Sequence, residues 1–199
     1  MRKIIPLIVL TVLSALITNA QNDLPVDAKS SMMIVDANKN AIGFAPEDLS
    51  NFIVSSTFED NVTGVRYVYL LQAHKGIPVF NQMTILTFRN GKLLSRSGVY
   101  DPNLEKLAAG NSGSPAVSAE SAVQSALSDR GFRPSQLAIA INRKDEGRFV
   151  EFGNMGVSRE NITAQLMWVP IEETKTYALA WQVYIIPKTT SDYWLVRVN

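Results

Sequence analysis

An α+β fold is predicted by three observations: two separated helix signatures, two stretches of short strand-like runs, and an Asn90-Gly91 hairpin signal between alternating apolar residues. A helix followed by an antiparallel meander occurs twice along the chain. The expectation is therefore two small units, each a helix laid across an antiparallel sheet.

The first twenty residues, "MRKIIPLIVLTVLSALITNA", place Arg2 and Lys3 before an apolar run from Ile4 to Ile17, with Thr18 and Ala20 as small residues at the cleavage positions. This is a predicted signal peptide (1–20), cleaved near Ala20-Gln21. The apolar run is shorter than the ~20 residues a spanning helix needs. Export is the expectation, and no later segment reads as a membrane span. From 21 to 45 the signals are weak, with "SMMIVD" as a possible short strand, and an extended N-terminal arm is predicted.

"APEDLSNFIVSS" reads as a helix. Pro46 suits a first turn, Glu47 and Asp48 sit near the positive end of the dipole, and Leu49, Phe52 and Ile53 share one face. Three strand-like runs follow: "VTGVRYVYLLQAH", "IPVFNQMTILTFR" and "KLLSRSGVY", joined by turns at Lys75-Gly76 and Asn90-Gly91. These elements make a first unit over 46–100. "DPNLEKLAAGNSGSP" is rich in turn formers, so 101–116 is predicted as a linker or long loop. "VSAESAVQSALSDRGF" is the clearest helix, with Ser118 as N-cap and Gly131 just past its end. Strands "LAIAIN", "RFVEF", "NITAQLMWVP", "YALAWQVYII" and "YWLVRVN" complete a second unit over 117–199, and apolar residues on both faces of "YALAWQVYII" mark it as central.

Composition narrows the function. The chain of 199 residues has a formal charge of +1 and no long run of either sign, which leaves no electrostatic footprint for nucleic acid or an anionic membrane. It has no cysteine, which removes thiol chemistry and disulfide staples. Its single histidine, His74, does not make a helical zinc motif, which takes two histidines one turn apart, and no nucleophile-elbow motif accompanies the serines. Beside a hairpin turn, His74 reads as an exposed strand end. The acidic pairs Glu59-Asp60, Asp145-Glu146 and Glu172-Glu173 all fall at predicted turns and read as solvated. Trp168, Trp181 and Trp194 lie in three successive strands; they fit a binding platform, but sheet aromatics bury large apolar area and core is the expectation. Asn61 ("NVT") and Asn161 ("NIT") match the glycosylation acceptor pattern, a weak and frequent match. This chain is expected not to be an enzyme.

The stretch Gly64 to Tyr100, "GVRYVYLLQAHKGIPVFNQMTILTFRNGKLLSRSGVY", resembles the propeptide domain of fungalysin-type and thermolysin-type zinc metallopeptidases. Gln72, Gly76, Ile77, Pro78, Val79, Asn81, Asn90, Gly91, Ser95 and Gly98 occupy the places of that pattern. The later part, "SAESAVQSAL" and "YALAWQVYIIPKTTSDYWLVRVN" with Leu179, Ala180 and Trp181, is similar to the PepSY-like unit of fungalysin prosegments. The resemblance implies cystatin-like and PepSY-like units and a secreted propeptide region that inhibits a zinc metallopeptidase, assists its folding and covers its cleft until cleaved. The sequence given ends at Asn199, and no His-Glu-x-x-His helix occurs in it. Two readings stay open: the N-terminal piece of a longer precursor, or a free-standing module binding a protease in trans. Zinc is implied for the parent peptidase domain and no cofactor for this chain. The partner implied is the cognate metallopeptidase domain, with no nucleic acid and no membrane after signal removal. The expected contact segment is the hairpin with Gln72, Gly76, Ile77, Pro78, Val79 and Asn81, by pairing of a strand edge with cleft backbone.

Overall fold

The computed structural model describes residues 27–108 and 113–199; the expected signal peptide, the start of the expected arm and the middle of the expected linker lie outside them. From Asp27 onward the arm is helical, not extended. Asp27 caps α1 (Ala28–Ala37), its Oδ1 accepting the Ser30 N–H at 2.9 Å. Asn38 leads into α2 (Lys39–Ile42), which ends on Gly43 at φ 84°. The strand reading of "SMMIVD" failed because so short an apolar run has no period of its own. The Asp27 cap and the Asp36–Lys39 pair at 2.7 Å, one turn apart, favour the helix.

The helix predicted over "APEDLSNFIVSS" is also corrected. Pro46–Asn51 forms one 3-10 helix, closed by the Ala45 N–H on Asp48 Oδ2 at 2.8 Å, and Phe52 and Ile53 open the strand β1 (Phe52–Asp60). The aromatic and β-branched residues from Phe52 onward favour extended backbone, which outweighs the helical start. Next come β2 (Val65–His74), β3 (Ile77–Arg89) and β4 (Lys92–Gly98), each antiparallel to the strand before it. Both predicted turns have two residues at positive φ: 52° and 72° at Lys75-Gly76, 51° and 72° at Asn90-Gly91. Val35 of α1 packs with Phe44, Phe52, Val68, Leu70, Leu86 and Phe88 in one core beneath this meander.

The stretch expected as a linker is partly structural. Asp101 Oδ1 accepts the Asn103 N–H at 2.8 Å, and α3 (Leu104–Ala108) follows, with Leu104 and Ala108 buried. A helix of barely more than one turn shows too little periodicity to be read from sequence. α4 (Ala119–Asp129) matches the predicted ends: Ser118 Oγ accepts the Ser121 N–H at 3.1 Å, and Gly131 takes φ 72° past the last turn. Then β5 (Ala140–Lys144), β6 (Phe149–Phe152), β7 (Thr163–Ile171), β8 (Thr176–Ile185) and β9 (Trp194–Val198) pair successively antiparallel. α4 lies on β7, β8 and β9, and its Ala122, Val123, Ala126 and Leu127 enter a second core with Phe152, Trp168, Trp181 and Val183.

The fold is α+β. Its two meanders are not separate sheets, because β3 pairs in parallel with β7 through Val79 and Trp168, making one nine-stranded sheet. β6 pairs only with the start of β7, up to Gln165, which leaves the later half of that edge for β3.

Candidate functional site

The β2–β3 hairpin is where the expected contact residues gather. β2 and β3 run in register from Val65↔Arg89 to Leu71↔Met83, then break, and resume at Ala73↔Pro78 and His74↔Ile77. The extra residues on β3 bulge away from β2, and Asn81, in the left-handed region at φ 58°, redirects the strand. The hairpin end is thereby aimed at β7.

Four of the six expected contact residues are buried within the chain. Ile77 and Val79 are each 1% exposed and belong to the core under α4, and Pro78 is buried beside them. Gln72 is buried too, and its amide makes a two-way pair with the Asp101 backbone: Nε2 donates to Asp101 O at 2.6 Å, and Oε1 accepts the Asp101 N–H at 2.7 Å. Gly76 and Asn81 are exposed. Gly76 holds φ 72° against the Arg148 guanidinium, close enough that a Cβ would press on it. Between the hairpin, the turn that precedes β6 and the start of β7 lies an open groove of about 380 Å³, lined by Ile53, Leu71, Pro78, Arg148 and Gln165 among others. The strand edge expected to be free for augmentation is taken at Val79 by Trp168 of the same chain.

His74 corrects the expectation of an exposed strand end. It is 6% exposed, its ring meets Trp168 edge-on at 5.6 Å, and its carbonyl accepts the Trp168 Nε1–H at 3.0 Å. Its Nε2 has no hydrogen-bond partner among the described residues. The hairpin had been expected to dock by its edge, and a non-polar environment for the one histidine carries no sequence mark. Burial, and then the neighbouring Lys75 ammonium, push the imidazole below its ordinary value of 6.5, while Glu105 opposes them weakly. The folded protein therefore resists protonation that the unfolded chain accepts. The contribution of His74 to stability is fully present above its ordinary value of 6.5 and is lost as the pH falls below it. Because His74 is the only histidine, denaturant unfolding at pH 7.5 and pH 5.5 isolates it: His74→Gln is expected to remove most of the loss seen in the native chain over that interval.

Sequence reasoning missed Asp101 and Tyr177. Asp101 Oδ2 accepts the Tyr177 hydroxyl at 2.9 Å, so a single residue ties Gln72 of β2 to the first core-facing residue of β8. Burial, and then the Asp101 hydrogen bond and charge, hold the Tyr177 phenol protonated well above its ordinary value. "DPN" signalled only a turn, and nothing local says that its backbone closes on a glutamine 29 positions upstream. Gln72→Leu is expected to cost about 2 kcal/mol in thermal or denaturant unfolding, since it leaves the Asp101 N–H and carbonyl without their partner.

The acidic pair Glu59-Asp60 is spent on structure. Glu59 bonds Arg66 across the β1–β2 pair at 2.6 Å, and Asp60 caps its own turn by accepting the Val62 N–H at 2.9 Å. Trp168 and Trp181 are buried, Trp181 donating from Nε1 to Val117 O at 2.9 Å, while Trp194 is half-buried under Arg130. Among the described residues no three His, Cys, Asp or Glu side chains converge as a metal site, and no helix is long and apolar enough to cross a membrane.

A four-stranded meander backed by a helix, with a long hairpin shaped by glycine and a left-handed asparagine, forms the first part of this α+β fold. Residues 50–99, about a quarter of the chain and the whole of the β1–β4 meander, match the family model described as the Fungalysin/Thermolysin Propeptide Motif. That motif is a propeptide element of secreted fungalysin-type and thermolysin-type peptidases, associates with the peptidase domain it accompanies, and is not itself catalytic. No curated protein matches the chain.

Proposed function

We propose that this chain is the secreted propeptide region of a fungalysin-like zinc metallopeptidase, inhibiting the peptidase domain and assisting its folding until cleaved. The observation that carries this reading is the coincidence of the propeptide motif, 50–99, with a meander of four consecutive antiparallel strands, so the matched segment is a folded element rather than a scatter of similar residues. The zinc belongs to the parent peptidase domain, and this chain supplies no ligand to it. A propeptide-like body lowers the free energy of the folded peptidase simply by binding it and not its unfolded form.

Residues 117–199 act in this reading as the PepSY-like partner of the motif, and 1–20 as a signal peptide cleaved near Ala20-Gln21. The hairpin contributes to peptidase contact through its exposed positions Gly76 and Asn81, while Gln72, Ile77, Pro78 and Val79 set its shape. Their burial supports that division. The alternative, a free-standing inhibitory module acting in trans, uses the same surface. Extending the reading frame past Asn199 separates the two: a downstream His-Glu-x-x-His helix supports the prosegment, and a stop codon supports the free module. Chelator-sensitive hydrolysis of casein by the purified chain alone would contradict both.

A further inference from the structure

The sheet has four marginal strands, and three of them protect their outer edges. β1 is broken by a register shift at Val54/Ser56 and ends in Glu59-Asp60. β5 is broken at Ala140/Asn142 and ends in Arg143-Lys144. Along β4, the Asn38 side chain accepts the Leu93 N–H at 3.1 Å and donates to Gly91 O at 2.8 Å, covering the start of that edge. β9 has none of these devices. It pairs with β8 without a shift from Trp194↔Ile185 to Val198↔Trp181, contains no proline, and carries one charge, Arg197.

An open groove of about 480 Å³ runs between β9 and α4, walled by Ser125, Asp129 and Arg130 on the helix and by Leu195 to Val198 on the strand. Alternate N–H and C=O groups of β9 point away from β8, as an antiparallel ladder requires, and none has a strand partner among the described residues. Charge decides what fits. Arg130 lies over the Trp194 ring at 4.6 Å but is already paired with Asp129 of the same wall at 3.1 Å, so the charge left is Arg197, which lies over the Phe80 ring at 3.5 Å and has no carboxylate partner among the described residues. A second copy is a poor occupant, because pairing β9 with β9 gathers two Arg197 guanidinium groups on strands that hold no acid.

We propose that the outer edge of β9 receives an extended, carboxylate-bearing segment of the peptidase partner by strand addition, with Arg197 reading its acidic side chain. This rests on the propeptide reading and names the surface that the reading leaves open. Main-chain hydrogen bonds hold the added strand, and the Arg197 charge selects among strands.

The test uses the full chain, isotope-labelled, with two octapeptides as probes: one alternating valine and glutamate, the other valine and lysine. The glutamate peptide is expected to bind at least about tenfold more tightly, with slowed amide exchange along β9, and Arg197→Glu is expected to invert the preference. Arg197 is exposed, and a single cooperative melting transition of the variant confirms its fold. Equal binding of both peptides, no change at the β9 amides, amides already protected in the chain alone, or a concentration-dependent dimer through β9 would each overturn the proposal. Inhibition of thermolysin-type peptidases separates the two readings. If Arg197→Glu inhibits as well as the native chain, the β9 surface is wrong and the propeptide reading stands; if neither inhibits, the propeptide reading fails.

Discussion

Trp168→Ala is expected to lower stability by about 3 to 5 kcal/mol, the usual cost of removing a fully buried large side chain together with the cavity it leaves. Trp168 is 0% exposed and does three things at once. It fills the core under α4, packs on His74, and donates its indole N–H to the His74 carbonyl at 3.0 Å. Its backbone is also the point where β7 pairs with Val79 of β3. The loss should appear in denaturant unfolding as a lowered midpoint. Amide exchange should quicken first in the β2–β3 hairpin, whose attachment to β7 is most directly weakened. Trp168→Phe keeps most of the apolar volume and loses mainly the hydrogen bond, so it should cost only about 1 to 2 kcal/mol. Equal losses for the two variants would mean that the indole N–H, not the packed volume, holds the hairpin.

Gly98→Ala is expected to cost roughly 3 kcal/mol or more, combining a strained backbone with overpacking. Gly98 sits at φ 91° opposite Thr84, and a Cβ there would run into the Met83 carbonyl, which already accepts the Val99 N–H at 2.9 Å. Unlike the contact at Gly76, where a flexible arginine end can move, the obstacle here is backbone within the sheet. The β3–β4 pair must open to admit a methyl group. Thermal unfolding of Gly98→Ala beside Gly91→Ala checks the claim. Gly91 also has positive φ, 72°, but meets nothing near its Cβ position, so Gly98→Ala should lose clearly more.

These glycines show what the sequence could and could not reveal. Asn90-Gly91 and Lys75-Gly76 were readable as turns because positive φ at two adjacent residues has a known chemical signature. The ends of α4 were readable because Ser118 and Gly131 sit at its two ends. α1 was not, since "SMMIVD" offers apolar residues without a period, and Asp27 as a cap is visible only once the helix is known. α3 was hidden inside a stretch of turn formers.

The candidate site was legible in its residues but not in their roles. Gln72, Gly76, Pro78 and Asn81 stood out, yet the partners that bury or bend them lie far along the chain: Asp101 for Gln72, and Trp168 for Val79. Long-range pairing leaves no local trace. The pairing of β3 with β7 shows in sequence only as a proline-containing run that reads equally well as an edge. For the same reason His74 read as exposed, although the residue that covers it was already identified as core.

The central claim is that this chain is a preshaped body that docks on a thermolysin- or fungalysin-type peptidase domain. The most direct measurement is the rate at which a panel of such peptidases, thermolysin among them, hydrolyses a peptide substrate as the purified chain is added. The account predicts that at least one is slowed in a saturable, stoichiometric manner, and that the slowing weakens for Trp168→Ala as its hairpin loosens. Undiminished hydrolysis by every member at a large molar excess of the native chain would contradict it.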